Sequence, residues 1–239
     1  MNIAVIFAGG SGTRMRTKDK PKQFLMVHGK PIIVHTIELF QQHEEIDGIV
    51  VACIESGIPY MEEMKFRYRL DKIGAIVPGG ATGQMSIYNG LCAAESVYGA
   101  EGNIVLIHDG VRPLIDAQTI SDNIAMVRER GSAVTCAVCK ETVILIDGDG
   151  RVREVPSRED SRLARAPQSF WLRDILAAQR RAIAEGYTNM IDSCTLMRKY
   201  GYELNVVIGS DDNLKITTPE DFYIFRALYD ARENRQLED

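Results

Sequence analysis

"NIAVIFAGGSGTRM", residues 2–15, joins a short apolar run to a glycine pair, a third glycine and a basic residue. Six apolar and β-branched residues ending at a turn signal have the length of a buried strand rather than of a helix. Glycines directly after such a strand let the backbone turn tightly and approach a ligand, and their exposed N–H groups favour anions. The same punctuation recurs outward along the chain. "GIVVACI" (48–54), "IGAIVPGG" (73–80) and "NIVLIHDGVRP" (103–113) are further strand-like runs. Segments of helical period separate them. Pro31 opens one, with Ile33, Ile37 and Phe40 on its inner face; Ile87, Leu91 and Ala94 mark another; Ile120, Ile124 and Val127 mark a third, with Gly131 as its stop. Strands alternating with helices predict an α/β fold with a doubly wound, mostly parallel, Rossmann-like sheet. No low-complexity linker or repeat of fixed period interrupts the chain, so one domain over residues 1–239 is expected.

Composition narrows the function classes. With 239 residues, 45% hydrophobic and 26% charged, the chain is long enough for a sizeable core. Its apolar runs, such as "IAVIFA" and "IVVACI", fall far short of the ~20 residues of a membrane span, and Met1 leads directly into a strand. A cytoplasmic protein without a membrane partner is expected. Five scattered cysteines suit reduced thiols. Cys136 and Cys139 form "CAVC" inside the strand-like "SAVTCAVC", where positions three apart point to opposite faces, which argues against a shared metal. A net charge of −5 argues against a nucleic-acid partner. A local basic cluster on an acidic chain points instead to a small anionic ligand.

Residues 140–160, "KETVILIDGDGRVREVPSRED", break the alternation. Two strand-like runs flank "DGDG", a strong hairpin signal because Asp-Gly tolerates positive φ. An isolated two-stranded ribbon is marginal in water, so it must rest on something else. It either lies on its own domain or reaches a second subunit.

The opening loop carries Arg14, Arg16, Lys18, Lys20 and Lys22 against one acid, Asp19. A dinucleotide fingerprint would need a third glycine opening a helix and an acid about 20 residues on. Here the nearest candidate, Glu55, lies 43 residues beyond Gly12, and no Walker G-K-[ST] occurs. A phosphate-binding loop and a solvated basic loop both remain open. "HDGVRP" puts Asp109 and Arg112 at the carboxyl end of a buried strand, the edge where open α/β sheets bind ligands. "DDNLKITTPEDF" puts Asp211, Asp212 and Lys215 just after strand-like "LNVVI". Two acids on separate strand ends could share a divalent metal bound to nucleotide phosphates, although each alone could be a cap or a surface ion pair. With the glycine-basic loop they resemble a nucleotidyltransferase site.

"AGGSGTRM", "PKQFL", "PGG", "HDGVRP", "APQSF" and "DNLKITTPED" occur in the order found in the cytidylyltransferases that make CDP-alcohols from polyol phosphates, and nearly the whole chain resembles that family. One branch acts on 2-C-methyl-D-erythritol 4-phosphate in isoprenoid synthesis, the other on D-ribitol 5-phosphate for cell-surface polymers. The resemblance implies that Ala8, Gly9, Gly10 and Gly80 present backbone to the cytidine of CTP, with Ser86 nearby. It also implies that Arg14, Lys22 and Lys215 surround the triphosphate as catalytic cations. Asp109 and Asp212 are implied holders of Mg2+. Arg112 lines the same pocket, and Thr142 and Arg158 on the hairpin bind the polyol phosphate. A homodimer through a hairpin arm at about 138–160 is the matching expectation. This sequence departs from the family pattern at Gly83, where an arginine is common, and at Ala166 and Ile191, where threonines are. "PKQFL", "DSC" (192–194) and "NLKITT" look closer to the ribitol branch. A nucleotide-dependent oxidoreductase and a catalytically silent relative are the readings from other classes, the latter disfavoured by retention of Arg14, Lys22, Asp109 and Lys215.

Overall fold

The computed structural model describes residues 1–10 and 21–235. Strand β1 (Asn2–Ala8) comes first, and a small ribbon of β2 (Met26–Val27) and β3 (Lys30–Pro31) leads into α1 (Ile32–Gln42). The chain then alternates: β4 (Gly48–Cys53), α2 (Ile58–Arg67), β5 (Ile73–Pro78), α3 (Gly83–Tyr98), β6 (Ile104–Asp109), α4 (Ala117–Arg130) and β7 (Ser132–Val138). A hairpin of β8 (Leu145–Ile146) and β9 (Val152–Glu154) follows. The remainder is β10 (Arg162–Trp171), α5 (Leu172–Ala184), α6 (Ser193–Lys199), β11 (Val206–Ile208) and α7 (Pro219–Arg235).

Seven strands form one sheet in the order β11-β7-β10-β6-β1-β4-β5. All neighbours pair in parallel except β10, which runs against both β6 and β7. The chain steps outward from β1 to β4 and β5, then crosses back to β6 on the other side of β1. That reversal opens a crevice at the carboxyl ends of β1 and β6, the usual ligand position in such sheets. Phe7 pairs with Asp109 across it.

The period of β1 explains its place at the centre. Ala4, Ile6 and Ala8 face one apolar layer with Ile33, Ile37 and Phe40 of α1 and Ile120 and Ile124 of α4. Ile3 and Val5 face the opposite layer with Leu91 of α3 and Ile175 of α5. Each such fully buried aliphatic side chain contributes about 1.5–3 kcal/mol of apolar transfer. The Thr82 hydroxyl accepts from the Met85 N–H to start α3, the Asp116 carboxylate accepts from the Thr119 N–H to start α4, and the expected stop, Gly131, closes α4 at φ +85°. A third cluster seats α7, where Phe225 packs with Val27, Ile32 and Ile216.

The expected hairpin is present. Its turn is held by the Asp147 carboxylate, which accepts from the N–H groups of Asp149 and Arg151, and Gly150 takes φ +78°. Ile144, Ile146, Val152 and Val155 on and beside it are all more than half exposed, so the ribbon has no core of its own.

Candidate active site

The glycine turn after β1 is shaped by the protein before any ligand is considered. A side chain at Gly9 would overlap the Ser86 hydroxyl, and one at Gly80 would overlap Met85. At Gly10 a Cβ would meet nothing among the described residues within 4 Å. Gly9 and Gly80 are therefore needed for the loops after β1 and β5 to close on the start of α3, while Gly10 keeps the cleft wall bare. Buried Ser86 fastens that closure: its hydroxyl accepts from the Gly80 N–H at 3.0 Å and donates to the Thr82 carbonyl at 2.9 Å. Its hydroxyl is engaged within the loop itself, which makes it a positioning group. Gln23, quoted in "PKQFL" but given no role from sequence, is buried and donates from Nε2 to the Ala8 carbonyl at 2.8 Å.

Ala8, Gly9, Gly10, Gly80, Ser86, Lys22, Asp109 and Lys215 line one cleft of roughly 510 Å³. Lys22 reaches it from the turn before β2 and donates from Nζ to the Ile216 carbonyl at 2.9 Å. Arg14, with Arg16, Lys18 and Lys20, lies outside the described residues. A second cavity of roughly 280 Å³ adjoins the cleft, sharing Phe7, Gly83, Asp109 and Lys215, and is walled further by Arg112, Arg165, Ala166, Gln168 and Asp192. The three departures from the family pattern all face this second space: Gly83, Ala166 and Ile191.

Asp109 is the electrostatic centre. Arg112 Nε donates to its Oδ2 at 2.8 Å, and Lys215 Nζ lies 2.6 Å from Oδ1. Burial alone would raise this carboxyl's pKa. The Lys215 and Arg112 cations outweigh it and hold the group well below the usual carboxylate range. Arg112 is fixed from the other side, Nη1 donating to the Asn213 carbonyl at 2.9 Å, and Asn213 Nδ2 donates to the Ala166 carbonyl at 2.7 Å. Beneath them His108 is fully buried against Phe40, and burial lowers its pKa to about 4. It is a neutral imidazole at physiological pH.

The donor set suits a divalent cation in part. Asp109 offers hard carboxylate oxygens at the cleft, and the Lys215 side chain, 40% exposed, can leave Oδ1 for a phosphate. One carboxylate plus phosphate oxygens is an ordinary magnesium environment. Asp212 does not join it. Its carboxylate lies 3.3 Å from Arg232 of α7 and lines neither cavity, so the surface ion pair left open by the sequence is the arrangement observed.

Thr142 and Arg158 are also apart from the cleft. Arg158 Nη2 donates to the Thr142 hydroxyl at 3.0 Å on the exposed arm. Thr142 lines a third cavity, roughly 340 Å³, at the root of the hairpin with Lys140, Arg165 and Asp211. The link between this cavity and the second is Arg165, one residue before the quoted "APQSF" and given no role from sequence.

The chain is 56% identical over 237 residues to a ribitol-5-phosphate cytidylyltransferase of Streptococcus agalactiae serotype III (strain NEM316), covering 99% of both chains. It is 37% identical to a 2-C-methyl-D-erythritol 4-phosphate cytidylyltransferase of Clostridium acetobutylicum, covering 95% of this chain and 97% of the relative. Among solved structures it is similar to 4-diphosphocytidyl-2C-methyl-D-erythritol synthase from Anaerococcus prevotii DSM 20548, at TM-score 0.82 and 27% identity over 96% of each chain. The family model for IspD, 2-C-methyl-D-erythritol 4-phosphate cytidylyltransferase, matches residues 2–230, and the chain belongs to that family.

Proposed function

We propose that the protein joins CTP to D-ribitol 5-phosphate, forming CDP-ribitol and pyrophosphate. The observation that carries the acceptor's identity is the gap between 56% identity to a ribitol-5-phosphate enzyme and 37% to a methylerythritol-phosphate enzyme, each over nearly the full chain. The cleft geometry supports the reaction class.

In the proposed reaction an oxygen of the acceptor's phosphate attacks the α-phosphorus of CTP. The bond from that phosphorus to the bridging oxygen of the β-phosphate breaks, and pyrophosphate leaves with the electron pair. With a second pKa near ~6, the attacking phosphate is largely dianionic at neutral pH and needs no general base. The task is to bring anions together and to neutralise charge on the equatorial and leaving oxygens. Ala8, Gly9, Gly10 and Gly80 offer backbone to the cytosine, with Ser86 and Gln23 holding the loops that carry it. Lys22 and Lys215, joined by Arg14, surround the triphosphate. Arg112 fixes the Asp109 carboxylate in place. A divalent cation such as Mg2+, held by Asp109 and the phosphates, would add charge neutralisation there.

The catalytic unit in this proposal is a single domain acting in the cytoplasm as a homodimer. The exposed apolar side chains of the hairpin cover one another across a two-fold axis, so that Thr142 and Arg158 meet the acceptor phosphate in the partner's cleft. Among the described residues no helix is long and apolar enough to cross a membrane.

Pyrophosphate release with CTP, ATP and GTP, each against ribitol 5-phosphate and methylerythritol 4-phosphate, tests the proposal. CTP with ribitol 5-phosphate should give the highest kcat/KM. Comparable rates with ATP or GTP would overturn the cytidine assignment, and a higher kcat/KM with methylerythritol 4-phosphate would overturn the acceptor.

A further inference from the structure

A pleated strand sends successive side chains to opposite faces, so consecutive residues do not share a wall. On β10 they do. Ala164, Arg165, Ala166 and Gln168 all line the second cavity. The register gives the reason: Ala164 pairs with Cys136 of β7 and Gln168 with Val134, so four steps on β10 oppose two on β7. Such bulges re-aim side chains, often beside active sites.

We propose that this bulge makes Arg165 a binding residue for the acceptor's phosphate, supplied in cis by the subunit that holds the nucleotide, and a determinant of acceptor specificity. The proposal rests on the cytidylyltransferase reading above. Two observations support it beyond the bulge. First, among the described residues the charged side chains of the second cavity are Arg112, Arg165 and Lys215 against Asp109 and Asp192, a sum of three positive and two negative. Without Arg165 the sum is zero, and a dianionic acceptor would find no net counter-charge there. Second, the other cations have partners: Arg112 is bound to Asp109 and to the Asn213 carbonyl, and Lys215 to Asp109. Arg165 is tethered through Nη1 alone, to the carbonyls of Ser210 at 3.2 Å and Asp211 at 2.8 Å. Among the described residues its Nε and Nη2 make no hydrogen bond, which leaves an edge of the guanidinium fork for phosphate. Burial, and then the neighbouring Arg112, lower the pKa of Arg165 from its usual value, a cost that a bound dianion would relieve.

Initial rates of the full chain with varied CTP and varied ribitol 5-phosphate test this in the wild type, Arg165→Gln and Arg165→Lys. Loss of a charge-assisted contact to phosphate should raise the acceptor KM of Arg165→Gln by about 10- to 100-fold, with the KM for CTP and the melting temperature essentially unchanged. Arg165→Lys keeps the charge but not the fork and should fall between. An acceptor KM near the wild-type value in Arg165→Gln would overturn the proposal. So would a parallel rise in both KM values with a lower melting temperature, which would make Arg165 only a brace for the Ser210 and Asp211 carbonyls. If Arg165→Gln does not fold, Arg165→Lys decides alone: a raised acceptor KM with unchanged CTP KM supports the proposal, and wild-type values of both overturn it. Wild-type turnover, measured first, separates the two claims, since its absence removes the cytidylyltransferase reading itself.

Discussion

The cleft and the hairpin arm are built on opposite terms. At the cleft, the buried groups Asp109, Ser86 and Gln23 are answered within the chain, Asp109 by Arg112 and Lys215, Ser86 by Gly80 and Thr82, Gln23 by Ala8. On the arm, apolar groups stand in solvent with nothing among the described residues to cover them. A buried charge network costs desolvation and persists only when its geometry is over-determined, so the fold itself holds Asp109 and Arg112 in place. An uncovered apolar ribbon is stable only against another surface. One region answers its own groups and the other does not.

The largest effect expected is at the cleft's centre. Asp109→Ala leaves Arg112 buried without its carboxylate, and breaking such a pair costs about 3–5 kcal/mol, reduced here because Lys215 is partly solvated. Denaturant titration should show that loss together with activity at background. A variant as stable as the wild type would mean that the cleft is not pre-built around this charge. Lys22→Ala should separate the two properties: a fall of about 10²- to 10³-fold in kcat with little change in melting temperature. A fall of less than severalfold would reduce Lys22 to a solvated surface charge.

The arm is tested by mixing. Lys22→Ala damages the body of a site and Arg158→Ala damages the arm, each nearly inactive alone. If arms are exchanged, each mixed dimer has one intact site, and random mixing yields half mixed dimers. Activity should then recover to roughly a quarter of the wild type. No recovery, with subunit exchange demonstrated, would show that the arm serves its own subunit.

The smallest effect concerns pH and the docking of α7. His35 lies edge-on to Phe225 and Tyr229, its Nε2 within 2.9 Å of the Val27 carbonyl, and burial lowers its pKa. The unfolded chain takes up a proton below about pH 6.5 that the folded state refuses, so stability rises with pH there. The contribution is full above that value and is lost as pH falls toward the lowered folded pKa, by at most ~1.4 kcal/mol per unit. Melting temperatures from pH 7 to 5 should fall more steeply for the wild type than for His35→Gln. Parallel profiles would remove His35 from the account.

Much of this molecule was legible from residue order. The strands at 2–7, 48–54, 73–80 and 103–113, the helix faces of Ile33, Ile37 and Phe40, and the stop at Gly131 are local patterns, and each recurs in the structure. The "DGDG" hairpin is equally local. Asp109, Arg112 and Lys215 were legible from motifs after strand-like runs, and Lys22 from the family resemblance; Asp109, Lys22 and Lys215 line the cleft and Arg112 the adjoining cavity. Ser86 was placed near the nucleotide, but its work of closing the Gly80 loop was not visible. Asp212 was grouped with Asp109 by sequence, and in space it turns to Arg232.

What the sequence determined by itself is what depends on near neighbours along the chain: period, turn chemistry, capping and the charge of each motif. The tertiary structure alone decided which distant groups meet. Lys215 answers Asp109 from 106 positions away, and Arg165 reaches the second cavity only because β10 slips its register against β7. No periodicity encodes such pairings, because they depend on how two strands and a returning loop are brought side by side at the switch between β1 and β6. A bulge is a property of two strands together, and it is the bulge that turns Arg165 toward the cavity.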